Sequence, residues 1–108
     1  MTWNIIAFES GRGEKPVEEF IKSQEPKTIA KIASEIDLLE QHGNRLGRPH
    51  AAPLQKGLFE LRIRGKEECR ILYAFSKDKI YLLHAFRKKS QKIPRREIEV
   101  AFKRLKSL

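Results

Sequence analysis

The clearest pattern in the first half of the chain lies between residues 26 and 43, where apolar side chains recur three and four positions apart. This spacing is typical of a helix with one buried face. Pro26 suits the first turn of such a helix, and Gly43 suits its end. A shorter pattern of the same kind opens at Pro16. The apolar face of the longer helix consists of Ile29, Ile32, Ala33, Ile36 and Leu39.

The period changes to two in the second half of the chain. Apolar and polar side chains alternate over residues 59–63, which predicts a half-buried strand. Two further apolar stretches, 69–75 and 80–86, are separated by short polar turns, so the three strands should be antiparallel.

Two more elements complete the predicted fold. Residues 3–8 form a short apolar strand, and the helical period returns after Pro94. The turn-rich stretch 43–49 is interpreted as a loop within one domain that spans residues 1–108. The sequence therefore predicts an α+β fold in the order β-α-α-β-β-β-α. Its small, mainly antiparallel sheet should carry the helices on one face and leave the other face free.

Charge is distributed unevenly along this pattern. Residues 1–54 contain seven Lys and Arg against eight Asp and Glu, a net charge of −1, whereas residues 55–108 contain sixteen against six, a net charge of +10. Because the excess covers strands and turns as well as a helix, nucleic acid is the leading partner class. A membrane surface and an acidic protein are the alternatives. A solvated basic face that only maintains solubility would explain one Lys-rich helix, but here the bias spans several elements.

Composition also limits the location and chemistry of the protein. No apolar run approaches the roughly 20 residues of a membrane span, and the N-terminus lacks a signal-peptide pattern, so a cytoplasmic protein is expected. The single cysteine, Cys69, is expected to be a buried thiol. His42, His50 and His84 lack the short spacings of zinc sites, and no metal or cofactor is predicted. The parity of His84 with its apolar neighbours favours a packing role.

Three arginines fall in or next to the predicted strands. If Arg62, Arg70 and Arg87 share the outward face of the sheet, their side chains lie within reach of one anion. The alternative is a set of surface charges whose carboxylate partners are Glu60 and Glu68.

A phosphate is the anion that suits this cluster best, because the arginine fork matches two phosphate oxygens. RNA can be cut without metal when its own 2′-hydroxyl attacks the neighbouring phosphate. The arginines would then stabilise the phosphorane. The candidates for proton transfer are Lys56, Lys88 and Lys89.

The chain resembles the RelE/HigB superfamily of toxins, and most closely a phage-derived HigB-like branch. The resemblance rests on the order of elements and on residues 54–62 (LQKGLFELR), 69–73 (CRILY) and 84–89 (HAFRKK), followed by Pro94 and the helix that contains Glu97 and Ile98. It implies a RelE-like fold and an endoribonuclease that cuts mRNA in the ribosomal A site. It also implies a HigA-like helix-turn-helix antitoxin as partner, with no membrane association. The catalytic positions that it suggests are Lys56, Arg62, Arg70, Arg87 and Lys88, and the predicted RNA-binding residues are Arg64, Lys89, Lys92 and Arg95.

The chain departs from this family in one respect. Some relatives use a histidine or tyrosine near the C-terminus for proton transfer, but no Tyr or His follows His84 here. A lysine is therefore the default proton donor. Two other functions remain open: a non-enzymatic toxin of the same fold, such as a gyrase inhibitor, and a basic nucleic-acid-binding phage accessory module.

Overall fold

The structure, a computed structural model, describes residues 2–108 and contains a five-stranded mixed sheet and three α-helices. The α+β class predicted from the sequence is confirmed. The elements are, in chain order, β1 (Asn4–Ala7), α1 (Pro16–Lys22), α2 (Pro26–His42), β2 (Ala51–Pro53), β3 (Phe59–Ile63), β4 (Cys69–Ser76), β5 (Lys79–Arg87) and α3 (Arg95–Lys106), with a 3₁₀ turn, Gly43–Arg45, directly after α2.

The predicted helix ends are confirmed. Pro16 and Pro26 occupy first turns, where the missing N–H of proline is not needed. Gly43 ends α2 with φ of +51°, and a Cβ at this position would collide with the indole of Trp3. The backbone N–H of Trp3 donates to the carbonyl of Glu40 at 2.9 Å, so the end of α2 is anchored to the chain just before β1.

The strands lie in the order β1-β5-β4-β3-β2. The strands β2 to β5 pair as antiparallel neighbours, as the short turns between the last three predict, whereas β1 pairs with β5 in parallel. β2 was not predicted: it has only three residues and ends at Pro53, so it is too short to show an alternating pattern. The observed order is therefore β-α-α-β-β-β-β-α.

The prediction that the helices cover one face of the sheet is wrong. α1 and α2 pack on the face that carries Leu61, Ile71 and Tyr73, whereas α3 packs on the opposite face, against Leu72 and Leu83. The central strands β4 and β5 are continuous apolar runs rather than alternating ones, and such runs are typical of strands that are buried on both faces. No helix among residues 2–108 has the length and apolar character needed to cross a membrane.

A β-bulge interrupts β5 at Leu83. Tyr73 pairs with Leu82 and Leu72 pairs with His84, so Leu83 has no opposite residue on β4. A bulge of this kind shifts the alternation of side chains by one position. From His84 onwards, the residues of β5 therefore face opposite to where a regular strand would place them.

Candidate nucleic-acid interface

Two of the predicted arginines meet on the α3 face of the sheet. Arg62 on β3 lies directly opposite Arg70 on β4, an arrangement in which like charges repel. Glu60, on the same face, answers both charges: its carboxylate accepts from Arg70 Nε at 3.0 Å and from an Arg62 terminal nitrogen at 3.1 Å. The two arginines and Glu60 thus form one ion cluster. This agrees with the alternative from the sequence analysis, in which Glu60 is a carboxylate partner of the arginines.

Arg70 is the buried member of this cluster. It is only 4% exposed, and besides Glu60 it donates to the carbonyl of Cys69 at 3.0 Å and lies 3.5 Å from the Glu68 carboxylate. Its Nε and both of its terminal nitrogens thus face an acceptor within the chain. This geometry favours a role in holding Glu60 and β4 in place over direct contact with a ligand.

Arg62 is more available than Arg70. One-fifth of its side chain is exposed, and its Nε is buried without a hydrogen-bond partner among residues 2–108. A buried donor without an acceptor costs free energy. Of the two arginines on this face, only Arg62 has a substantial exposed part of its side chain, and this part, rather than the buried Nε, is what a phosphate oxygen can reach.

Arg87 lies on the other face of the sheet, which corrects the expectation that the three arginines share one surface. It pairs with Cys69 across β4 and β5, its Nε donates to Gln24 at 3.4 Å, and a terminal nitrogen lies 3.1 Å from the Glu67 carboxylate. The bulge at Leu83 is the physical reason, because it reverses the facing of every residue after it.

The same bulge turns His84 towards α3. Its Nε2 lies 2.8 Å from the Glu97 carboxylate, and its Nδ1 lies 3.4 Å from an Arg104 terminal nitrogen. Arginine can only donate, so Nδ1 accepts and the ring proton sits on Nε2, pointing at Glu97. Both ring nitrogens are engaged, and the arrangement supports the predicted packing role.

Glu97 and Arg104 were not singled out in the sequence. The sequence could have indicated Glu97 by its position, because it lies four residues before Ala101 and therefore on the buried face of α3. Arg104 also donates to the carbonyl of Leu83 at 2.8 Å, and burial lowers the pKa of its guanidinium from the ordinary value.

Lys56 lies apart from the arginine cluster. It occupies the turn between β2 and β3 with φ of +58°, and its Nζ sits 4.6 Å from the centre of the Phe102 ring. A cavity of about 380 Å³ beside it is lined by Arg95, Ile98 and Glu99. Arg95 forms an exposed ion pair with Glu99 at 3.2 Å. Lys56 thus contacts α3, and Arg95 is the first residue of that helix.

The remaining cations gather at one end of the sheet, where β3 stops, β4 starts and β5 stops. The Lys88 N–H donates to the carbonyl of Glu68 at 2.9 Å and holds the segment after β5 against the β3–β4 turn. A cleft of about 310 Å³ there is lined by basic residues and two carboxylates. We call this region the basic end, and it comprises Arg64, Lys66, Arg87, Lys88 and Lys89.

The basic end is poorly neutralised by the chain itself. Its two carboxylates are already engaged, Glu67 by Arg87 and Glu68 by Arg70. Within residues 2–108, no carboxylate lies within 4.0 Å of the other four cations, Arg64, Lys66, Lys88 and Lys89. Lys92 follows in the same segment, is exposed, and accepts a hydrogen bond from Ser90 Oγ only at its carbonyl.

The thiol and the buried tyrosine do not add a reactive group. Burial raises the pKa of the Cys69 thiol, in agreement with the inert, buried cysteine predicted from the sequence. Burial also raises the pKa of Tyr73 to about 12, and its ring packs against Phe59 and Phe75. In the region that the structure describes, no group of three or more His, Cys, Asp or Glu side chains is placed to hold a metal ion.

Comparison with known proteins assigns a family. A family model described as "Phage derived protein Gp49-like (DUF891)" matches residues 19–106, which run from within α1 to the end of α3 and include the ion cluster and the basic end. No curated protein shows significant similarity to the chain. The chain therefore belongs to the phage-derived Gp49-like family, part of the toxin-like RelE/HigB-type superfamily.

Proposed function

We propose that this protein is the toxin of a toxin–antitoxin pair, of the HigB-like type, and that it cuts messenger RNA on the ribosome. The observation that carries the proposal is the basic end, where four cations have no carboxylate partner among the described residues. Unpaired cations gathered at one site attract a polyanion strongly, because each phosphate that they neutralise releases counterions. Membership of a toxin-like family favours RNA over other polyanions.

The proposed reaction uses the RNA's own 2′-hydroxyl. A lysine accepts the hydroxyl proton, the 2′-oxygen bonds to phosphorus, and the bond to the 5′-oxygen breaks as that oxygen is protonated. The products are a 2′,3′-cyclic phosphate and a 5′-hydroxyl end. Arg62 is the candidate to stabilise the phosphorane, because its side chain is partly exposed.

Other roles follow from the positions of the residues. Lys88 and Lys89 are the candidates for proton transfer, since both line the cleft of the basic end and neither has a carboxylate partner among the described residues. Arg70 is a positioning residue that orders Glu60 and, through it, Arg62. Arg64, Lys66, Arg87 and Lys92 dock the RNA backbone, whereas Lys56, which contacts α3, and Arg95, the first residue of that helix, contribute less.

The proposal includes an antitoxin and a location. A small helix-turn-helix antitoxin of the HigA-like type would neutralise the toxin by covering or distorting the basic end. The activity would take place in the cytoplasm, where ribosomes translate.

The proposal is tested by inducing the protein in cells and mapping message 5′ ends, then repeating the mapping with purified message in the presence and absence of ribosomes. We expect new 5′ ends only when ribosomes are present. Lys88→Ala/Lys89→Ala should reduce cutting at least a hundredfold, the lower limit of general acid–base contributions. The matched control is Lys77→Ala/Lys79→Ala, which removes the same charge at the opposite end of the sheet and should cut normally.

A non-enzymatic toxin of the same superfamily is the second candidate. It is favoured by one observation: the ring nitrogens of His84 and the donors of Arg70 are all engaged within the chain, which leaves lysines as the available proton-transfer groups. Growth arrest without new 5′ ends would support this candidate and exclude the nuclease. RNA binding with neither arrest nor cutting would indicate an accessory binding module.

A further inference from the structure

A pocket of about 270 Å³ opens between α2 and the end of β3. One of its lining residues, Arg64, belongs to the β3–β4 turn. Later residues of the same turn line the cleft of the basic end. The volume is several times the roughly 30 Å³ that one water molecule occupies, so a phosphate group fits inside. The polar residues that line it are Lys31, Ser34, Glu35, His50, Arg62 and Arg64.

The charges in this pocket are unbalanced. Among residues 2–108, neither Lys31 nor Arg64 has a carboxylate within 4.0 Å, and the carboxylate of Glu35 is bound to His50 Nδ1 at 2.9 Å. The pocket therefore combines two cations without a carboxylate partner, Lys31 and Arg64, with Arg62, which pairs with Glu60, and one carboxylate that already has a partner. Such a site favours an anion.

Lys31 is exposed, and its ammonium group lies close to the backbone of the turn. A Cβ built on Gly65 would lie 2.6 Å from Lys31 Nζ, so the ammonium group reaches across from α2 to the backbone of the turn. The absence of a side chain at Gly65 allows this approach. The cation that α2 contributes thus lies next to the turn that carries Arg64.

Arg62 joins the pocket to the ion cluster. It lines the pocket, and its buried Nε has no acceptor among the described residues. The buried Nε itself is out of reach, so an anion in the pocket meets the exposed fifth of the Arg62 side chain.

We propose that this pocket binds a backbone phosphate of single-stranded RNA, so that the strand crosses the β3–β4 turn from the pocket to the basic end. The inference deepens the proposed function and rests on it, because it names a second phosphate contact for the same RNA. It adds Lys31 and His50 to the interface, neither of which the sequence suggested as RNA-binding.

The test compares Lys31→Ala with Lys27→Ala, which removes the same charge from an exposed position on the same helix. Binding of a single-stranded RNA oligonucleotide is measured over a range of salt concentrations at constant pH. In Lys31→Ala the slope of log affinity against log salt should be smaller in magnitude by about 0.7, the value for one phosphate contact on a single strand. In Lys27→Ala it should equal that of the wild type. Equal slopes for the two variants would overturn the proposal.

A second measurement separates this proposal from the proposed function. Inorganic phosphate is titrated into the protein while the NMR signals of Arg62 Nε–H and the Gly65 amide are followed. Saturable shifts in the wild type that are lost in Lys31→Ala support the pocket even if no message is cut in the ribosome experiment. If messages are cut but phosphate shifts neither signal, the proposed phosphate site is wrong, and the proposed nuclease function is unaffected.

Discussion

Glu60 determines what the two arginines beside it can do. Its carboxylate is almost completely buried, and it accepts one hydrogen bond from each of Arg62 and Arg70. A buried ion pair gains little relative to an apolar pair, but removing one partner leaves an uncompensated charge. The cluster should therefore tolerate the loss of Glu60 poorly.

We expect Glu60→Gln to lower the free energy of unfolding by about 3–5 kcal/mol, because the buried Arg70 would lose its nearest counterion and keep only Glu68, which is more exposed and 3.5 Å away. The control is Glu67→Gln, whose ion pair with Arg87 is nearly half exposed and should change the stability by less than about 1 kcal/mol. Urea unfolding measures both variants. Equal stabilities would show that the charge of Glu60 is not needed.

This expectation affects how arginine variants are used. Arg70→Ala would leave the buried Glu60 with Arg62 as its remaining counterion and lower the stability of the fold, so a loss of cutting in that variant would not identify a contact with RNA. Arg62→Ala is more informative. Loss of a phosphorane-stabilising donor should reduce cutting by about a hundredfold to a thousandfold, measured by message cleavage in a variant whose unfolding midpoint remains above the assay conditions.

Tyr73 provides a prediction for alkaline pH. Its folded pKa of about 12 lies above the ordinary value of 10, so the folded state favours the protonated phenol. This contribution is complete below about pH 10 and is lost as the pH rises through the folded pKa near 12. The free energy of unfolding should fall over this window by up to about 3 kcal/mol. Tyr73→Phe should lack this part of the decline, and identical pH curves for the two proteins would contradict the assignment.

At the scale of elements, α3 is attached to the sheet through the bulge of β5. The bulge leaves the carbonyl of Leu83 outside the regular pairing with β4, and Arg104 donates to it at 2.8 Å. Two turns closer to the start of the helix, the Glu97 carboxylate accepts a hydrogen bond from His84 Nε2. These two polar contacts attach α3 to β5 at two points along the helix, in addition to its apolar contacts.

Glu97→Ala should therefore loosen α3. Loss of the Glu97 carboxylate leaves the half-buried His84 without its acceptor, a cost of about 1–3 kcal/mol. Glu99→Ala is the control on the same helix, because its pair with Arg95 is exposed and contributes about 0.3–0.5 kcal/mol. Hydrogen exchange of the α3 amides should be faster in the first variant only. Unchanged protection in Glu97→Ala would assign the attachment of α3 to its apolar face.

At the scale of the whole molecule, the positive charge is concentrated at one end of the sheet. The segment from Arg87 to Arg96 holds six cations and no acidic residue. It is tied to the β3–β4 turn by the hydrogen bond from Lys88 to Glu68. This tie keeps Lys88 and Lys89 beside Lys66, so charges that are distant in sequence act on one ligand.

RNA binding should therefore depend on salt through this end of the molecule. Lys88→Ala/Lys89→Ala should reduce the magnitude of the slope of log affinity against log salt by about 1.4, twice the value for one contact on a single strand. The variant Lys77→Ala/Lys79→Ala, with the same net charge, should keep the wild-type slope. If both variants lose the same amount, net charge alone drives binding.

The sequence predicted those elements in which apolar and polar side chains recur at a regular spacing. α2 follows from a periodic apolar face that ends at Leu39, and β3 follows from strict alternation. The facing of Arg87 could not be predicted, because the apolar run of β5 allows the alternation to shift at any position without exposing an apolar side chain. The packing of α3 was misjudged for the same reason: a strand that is apolar on both faces needs cover on both.

The bulge also governs which changes of length the sheet tolerates. Deleting Leu83 would remove the residue that has no partner on β4 and leave Arg87 facing as it does now, whereas a deletion elsewhere in a regularly paired strand exchanges the faces of every residue beyond it. In comparisons among Gp49-like proteins, a one-residue gap at this position is therefore silent for the candidate site. A gap after Arg87 would instead shorten the segment that carries the lysines.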